Sequence, residues 1–149
     1  MFKRRLASET VAVFVEPLST SLGKLLLRVT VAGLMLFHGI DKLQNGIGGI
    51  EKMVTGANMP SWIAYGVYVG ELIAPTLILV GLWTRPAALI FAFNMVVALF
   101  LAHRGDFTRL GSHGEWAVES PMFYLLTAIC IILLGPGRFC LGRKTGPLA

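Results

Sequence analysis

The stretch WIAYGVYVGELIAPTLILVGLW, residues 62–83, holds 22 positions and a single charge, Glu71. A hydrocarbon core of about 30 Å takes about 20 apolar residues at a rise of 1.5 Å, so this segment reads as a transmembrane helix. Working outward, windows 25–40, 87–102 and 122–134 repeat the pattern. The four windows hold 67 of the 149 residues but only two of the 21 charged side chains, Arg28 and Glu71. Over the whole chain 14% of residues are charged and 55% hydrophobic, where a soluble domain carries about 25% charge. That balance excludes an ordinary soluble domain, and so apolar a chain buries too much surface to stay disordered. The expected fold class is all-α, a polytopic membrane protein built as an antiparallel four-transmembrane-helix bundle. Its helices are placed at about 21–40, 62–83, 86–103 and 119–135, inside a membrane domain covering 21–142.

The basic residues set the orientation. Lys3, Arg4, Arg5, Lys24, Arg85, Arg138, Arg143 and Lys144 fall on one side, and Lys42, Lys52, Arg104 and Arg109 on the other. The richer side is expected to be cytoplasmic, which puts both termini and the tail 143–149 inside and makes the protein a multi-pass protein of the cell's inner membrane. The net charge of +5 is thus a topological signal and not a nucleic-acid footprint. Residues 1–20 read as a cytoplasmic lead-in, with Phe2, Leu6, Val11, Phe14 and Leu18 suited to lying on the bilayer surface. They do not read as a cleaved signal, because the apolar run 11–15 is short and ends at Glu16-Pro17.

Punctuation agrees with these boundaries. Thr84-Arg85-Pro86 joins helices two and three too tightly for anything but antiparallel neighbours, Pro121 suits a helix start, and Gly135-Pro136-Gly137 a helix stop. Between helices one and two, the run 47–54 suits a short surface helix. Cys130 and Cys140 lie about 15 Å apart along a near-helical path and cannot bridge. Without a CxxC pair the chain has no local dithiol, and Cys130 reads as a packing residue.

Polar groups inside the apolar windows are the candidate site. Counting residues from the helix ends puts Arg28 roughly 10 Å, Asn94 roughly 12 Å and Glu71 roughly 16 Å above the cytoplasmic boundary. An unpaired charge at such depth costs at least about 2.5–3.5 kcal/mol and faces the bundle interior. Arg28 and Glu71 are therefore expected to be partners, with Asn94 completing the hydrogen bonding. Pro75 lacks the N–H that would bond the carbonyl of Glu71, so the helix should loosen there. Gly66 and Gly70 form a small-xxx-small pair that invites another helix close. A second group, His38, Lys42, His103 and Glu119, sits at the outer ends and reads as a polar rim able to pass protons or hold a polar head group. No two histidines share a helix turn, so no metal site is assigned.

Three stretches taken together, LLLRVTVAGLMLFHGIDKL, GELIAPTLILVGLWTRPAAL and LLGPGRFCLG, resemble the DoxX family of small four-helix membrane proteins. The resemblance rests on Arg28, His38-Gly39-x-x-Lys42, Glu71, Gly81-Leu82-x-Thr84-Arg85 and Gly135-Pro136-Gly137. Where many members read Ser-Leu-Asp near the end, this chain has Cys140-Leu141-Gly142. The resemblance implies an accessory subunit of a quinone-linked or thiol/sulfur-linked membrane redox complex, with quinone as the cofactor and a soluble or membrane oxidoreductase as partner. The alternative is a non-catalytic anchor or small-molecule permeability component. Partners common to both readings are the lipid bilayer and, through the glycine-rich faces, further copies of the chain.

Overall fold

A computed structural model describes residues 16–142. The lead-in expected over residues 1–20 therefore lies mostly outside the described residues, as does the tail 143–149. The described chain is helical: α1 spans Leu18–Asn45, α2 Gly48–Gly56, α3 Ser61–Val80, α4 Thr84–Ala102 and α5 Glu119–Leu134. Three of them, α1, α3 and α4, are long and apolar enough to cross a membrane, and α5 is a shorter apolar helix. The protein is a polytopic helical membrane bundle. Large apolar side chains such as Leu26, Phe37, Phe93, Phe100 and Leu133 are exposed on its outside, as expected where lipid is the solvent.

α1 is longer than the sequence windows implied. At 28 residues it runs about 42 Å, so Asp41 and Lys42, which read as the end of the span, are still helical. α3 is continuous in direction but not in winding. It opens with a 3₁₀ turn at Ser61–Tyr65, passes through Gly66–Tyr68, takes a π turn at Val69–Ile73 and resumes α geometry at Ala74–Val80. The surface helix expected near 47–54 is α2. α4 begins at Thr84, so Pro86 sits within its first turn, where a missing N–H leaves no bond unmade.

The central core is a stack of small and large residues from four helices, including Val31, Met35, Ile78, Phe91, Met95 and Ile131. A second cluster, Ile47, Val54, Ala64 and Val67, seats α2 over one end of the bundle. That end, where α1 stops and α3 starts, is called distal below, and the end carrying Gly81 and Gly135 proximal. Cys130 is exposed on α5, which corrects its reading as a packing residue.

Arg28 organises the proximal end. It is 1% exposed, and its guanidinium donates only to backbone carbonyls: Nε to Ile78 at 2.8 Å, Nη1 to Pro136 at 2.6 Å and to Phe139 at 2.8 Å, Nη2 to Leu79 at 3.0 Å. The last carbonyls of a helix have no partner within it. Here each finds one. Gly81, at φ +75, and Leu82 turn their N–H groups back onto Leu77, Arg28 takes Ile78 and Leu79, and the N–H groups of Leu141 and Gly142 take Val80 and Gly81. A Cβ at Gly81 would lie 2.5 Å from Nη2 of Arg28 and 2.8 Å from the Cα of Cys140, so this close docking also needs glycine. Arg85 does similar work for α5, donating from Nε to Ile132 at 3.0 Å.

Candidate functional site

The acid at depth has a different partner from the one expected. Glu71 is 7% exposed, and its carboxylate receives the ammonium of Lys42 at 2.5 Å. The expectation that Arg28 pairs with Glu71 is therefore corrected. Arg28 is level with Ile78, two turns from Glu71 and about 10 Å along α3. The physical reason is side-chain direction. Helical side chains lean toward their own N-terminus. On α1 this sends Arg28 toward the proximal end, away from the acid, and brings Lys42 down from the distal end. α3 runs the opposite way, so Glu71 leans up to meet Lys42.

Local backbone geometry helps that meeting. Glu71 sits at the centre of the π turn, where the N–H of Ala74 bonds the carbonyl of Val69, five residues back. Pro75 follows at the start of the resumed α segment and cannot donate to Glu71, which is the loosening the sequence implied. Single π turns inside α-helices are rare and concentrate at functional sites. Two glycines complete the cradle. A Cβ at Gly39 would lie 2.6 Å from the carbonyl oxygen of Glu71 and from Leu72, and one at Gly70 would fall on the side chain of Asn94. Hence α1 and α4 both press onto the π turn through positions that tolerate no side chain. Asn94 thereby packs against the residue next to the acid, and among the described residues it makes no hydrogen bond to Arg28 or Glu71, which corrects the role expected of it. Gly66, by contrast, faces open space, so of the expected pair only Gly70 serves close approach.

The rim residues separate into three places. Lys42 leaves the rim and belongs to the acid; its backbone carbonyl also accepts the hydroxyl of Tyr68 at 3.2 Å. His38 is exposed and stands edge-on to Tyr124, ring centroids 6.1 Å apart. His103, at the end of α4, has its Nδ1 3.4 Å from Asp106. Glu119 is in the first turn of α5, where a negative charge suits the helix dipole, and it borders a shallow cleft of about 240 Å³ with Leu34, Ser120, Phe123 and Tyr124.

Tyr124 is the residue that joins these parts. It lines the cleft and packs edge-on against both His38 and Phe91. No spacing rule connects residue 124 to residues 38 and 91. Only the packing of α5 against α1 and α4 does.

The sequence matches the DoxX family over residues 23–104, which include Arg28, Lys42, Glu71 and Asn94. The chain belongs to the DoxX family. Among its relatives, a Bacillus subtilis protein named "Putative oxidoreductase CatD" is 31% identical over 134 residues, covering 86% of this chain and 95% of CatD. The Escherichia coli "Inner membrane protein YphA" is 30% identical over 127 residues, covering 80% of this chain and 88% of YphA. An uncharacterized membrane protein of Mycobacterium tuberculosis is 33% identical over 131 residues, covering 79% of this chain and 78% of its own. No solved structure matches the chain. In this DoxX protein the family match ends at the close of α4, so Tyr124 and the α5 side of the cleft lie beyond it.

Proposed function

We propose that this DoxX protein is an inner-membrane accessory subunit of a redox complex, with both termini cytoplasmic, and that the α1–α5 cleft beside the Lys42–Glu71 pair holds a quinone head group. The observation that carries this reading is Tyr124, which lines an open cleft between α1 and α5 and packs edge-on against His38. The name of the Bacillus subtilis relative, "Putative oxidoreductase CatD", supports it.

The residues present fit such a group. Apolar walls come from Leu34 and Phe123, and hydroxyl donors for a ring carbonyl from Ser120 and Tyr124. At about 240 Å³ the cleft is smaller than the roughly 300 Å³ or more of a drug-sized pocket, so it takes a ring and leaves an isoprenoid tail in the surrounding lipid. A bound quinone would supply two-electron, two-proton redox chemistry. The chain supplies the rest: Tyr124 orients the ring, and His38 and the Lys42–Glu71 pair hold protons along one side of it. The electrons come from a partner oxidoreductase.

The test is to purify the protein with its native partners in mild detergent and extract quinone. Tyr124→Phe and Glu71→Gln are expected to retain partner binding while quinone content falls by up to about tenfold, the worth of one lost hydrogen bond of about 1.4 kcal/mol. Unchanged quinone content in both folded variants would replace this reading with that of a non-catalytic anchor.

A further inference from the structure

The segment between α4 and α5 is a folded hairpin with two chemically different ends. Leu110 and Trp116 form an antiparallel bridge, closed by Gly111 N–H to the Glu115 carbonyl at 2.8 Å and Ala117 N–H to the Arg109 carbonyl at 3.1 Å. The Trp116 indole N–H is tied to the carbonyl of Phe107 at 2.8 Å. The base of the hairpin is apolar and uncovered, with Leu110 71% exposed and Phe107 and Trp116 also exposed. Its tip is polar: Ser112 bonds the ring of His113, and Glu115 accepts the His113 N–H at 3.0 Å.

The depth of that base follows from α4 and α5. The bond from Arg85 to the Ile132 carbonyl sets the two helices in register at the proximal end. From there α4 continues 17 residues to Ala102 and α5 only 13 to Glu119, about 26 Å against about 20 Å. α5 thus stops about 6 Å short of its neighbour, and the hairpin starts at a level where α4 still presents Phe100 to lipid. A soluble loop would not place Leu110, Phe107 and Trp116 there uncovered. Arg104 and Arg109 flank them, both exposed, and Arg109 makes an exposed ion pair with Asp106 at 3.3 Å, which a lipid phosphate would have to compete with.

We propose that this hairpin is an interfacial lipid anchor: Phe107, Leu110 and Trp116 lie at the boundary between glycerophospholipid head groups and acyl chains, and Arg104 and Arg109 meet lipid phosphates. The occupant is lipid because the base continues the lipid-facing surface of α4 and α5 and carries cations opposite an anionic layer. The anchor makes up for the short α5, which would otherwise thin the bilayer on that side. The inference rests on membrane insertion alone and stands whether or not the cleft holds quinone.

Two measurements in phosphatidylcholine–phosphatidylglycerol liposomes test it. With Trp62→Phe and Trp83→Phe leaving Trp116 as the single tryptophan, lipid brominated near the head-group end of its acyl chains should quench most of the emission. In a Cys130→Ala, Cys140→Ser background, a spin label at Leu110→Cys should collide with oxygen in preference to a water-soluble nickel chelate, and one at Ser112→Cys should do the reverse. Weak quenching with a nickel-accessible label at Leu110→Cys would overturn the proposal in favour of a solvated loop. An immobile label shielded from both reagents would overturn it in favour of a protein partner or a second copy.

Discussion

Arg28→Met is expected to lower the stability of the bundle by more than about 3 kcal/mol, because each carbonyl left dry costs about 1–3 kcal/mol and those of Leu79, Pro136 and Phe139 lose their donor together, while that of Ile78 keeps the N–H of Gly81 at 3.2 Å. Two of those carbonyls close α3 and two belong to the segment after α5, so one side chain ties three parts of the chain at the proximal end. Arg28→Lys should recover only part of the loss. An ammonium is a point donor and cannot span carbonyls that a planar fork reaches at once. Reversible unfolding in detergent or bilayer, compared across the wild type and both variants, gives the order wild type, lysine, methionine. Equal stability of all three would mean that the carbonyls find water or other donors.

Gly39→Ala is the second large effect. Its Cβ would lie 2.6 Å from the Glu71 carbonyl oxygen, a backbone atom that cannot rotate away, and as close to Leu72. Overpacking of this kind costs about 1–3 kcal/mol, and the relief available is to move α1 from α3, which draws Lys42 off Glu71. Gly66→Ala is the matched control: with nothing within 4 Å it should be neutral or stabilising by about 0.4–1 kcal/mol through the unfolded chain. The same pair of substitutions measured by unfolding distinguishes a glycine needed for contact from one that is not; equal effects would contradict the packing described.

Much of the fold was legible because it depends on sums over many residues. The span at 62–83 and the helix stop at Gly135 follow from hydropathy and from backbone chemistry that side-chain packing does not override, although the helix ends at Val80, three residues before the window does. The π turn was legible in outline, since Pro75 removes a known donor four residues after Glu71. The pairing of the site was not. Counting residues locates Cα atoms, whereas a lysine and an arginine each carry their charge several ångströms away, in a direction set by which way the helix runs. That is why Arg28 and Glu71 look level and are not, and why Lys42, read as a rim residue beyond a window ending at residue 40, reaches an acid at depth. The window ended there because Asp41 is charged, although α1 continues to Asn45. Asn94, expected to complete the hydrogen bonding of Arg28 and Glu71, lies against Gly70 instead. Tyr124 and the apolar base of the hairpin had no signal in local pattern, because each depends on contacts between segments far apart in sequence.

The buried acid Glu71 is held by Lys42 and the proximal end by Arg28, as two independent devices. Double-mutant cycles on unfolding free energy test it directly, using Lys42→Met with Glu71→Gln and, in parallel, Arg28→Met with Glu71→Gln. Residues in one ion pair couple by about 0.5–3 kcal/mol, while sites more than about 10 Å apart add within about 0.5 kcal/mol. Coupling is expected in the first cycle and additivity in the second. Additivity for Lys42 and coupling for Arg28 would contradict it.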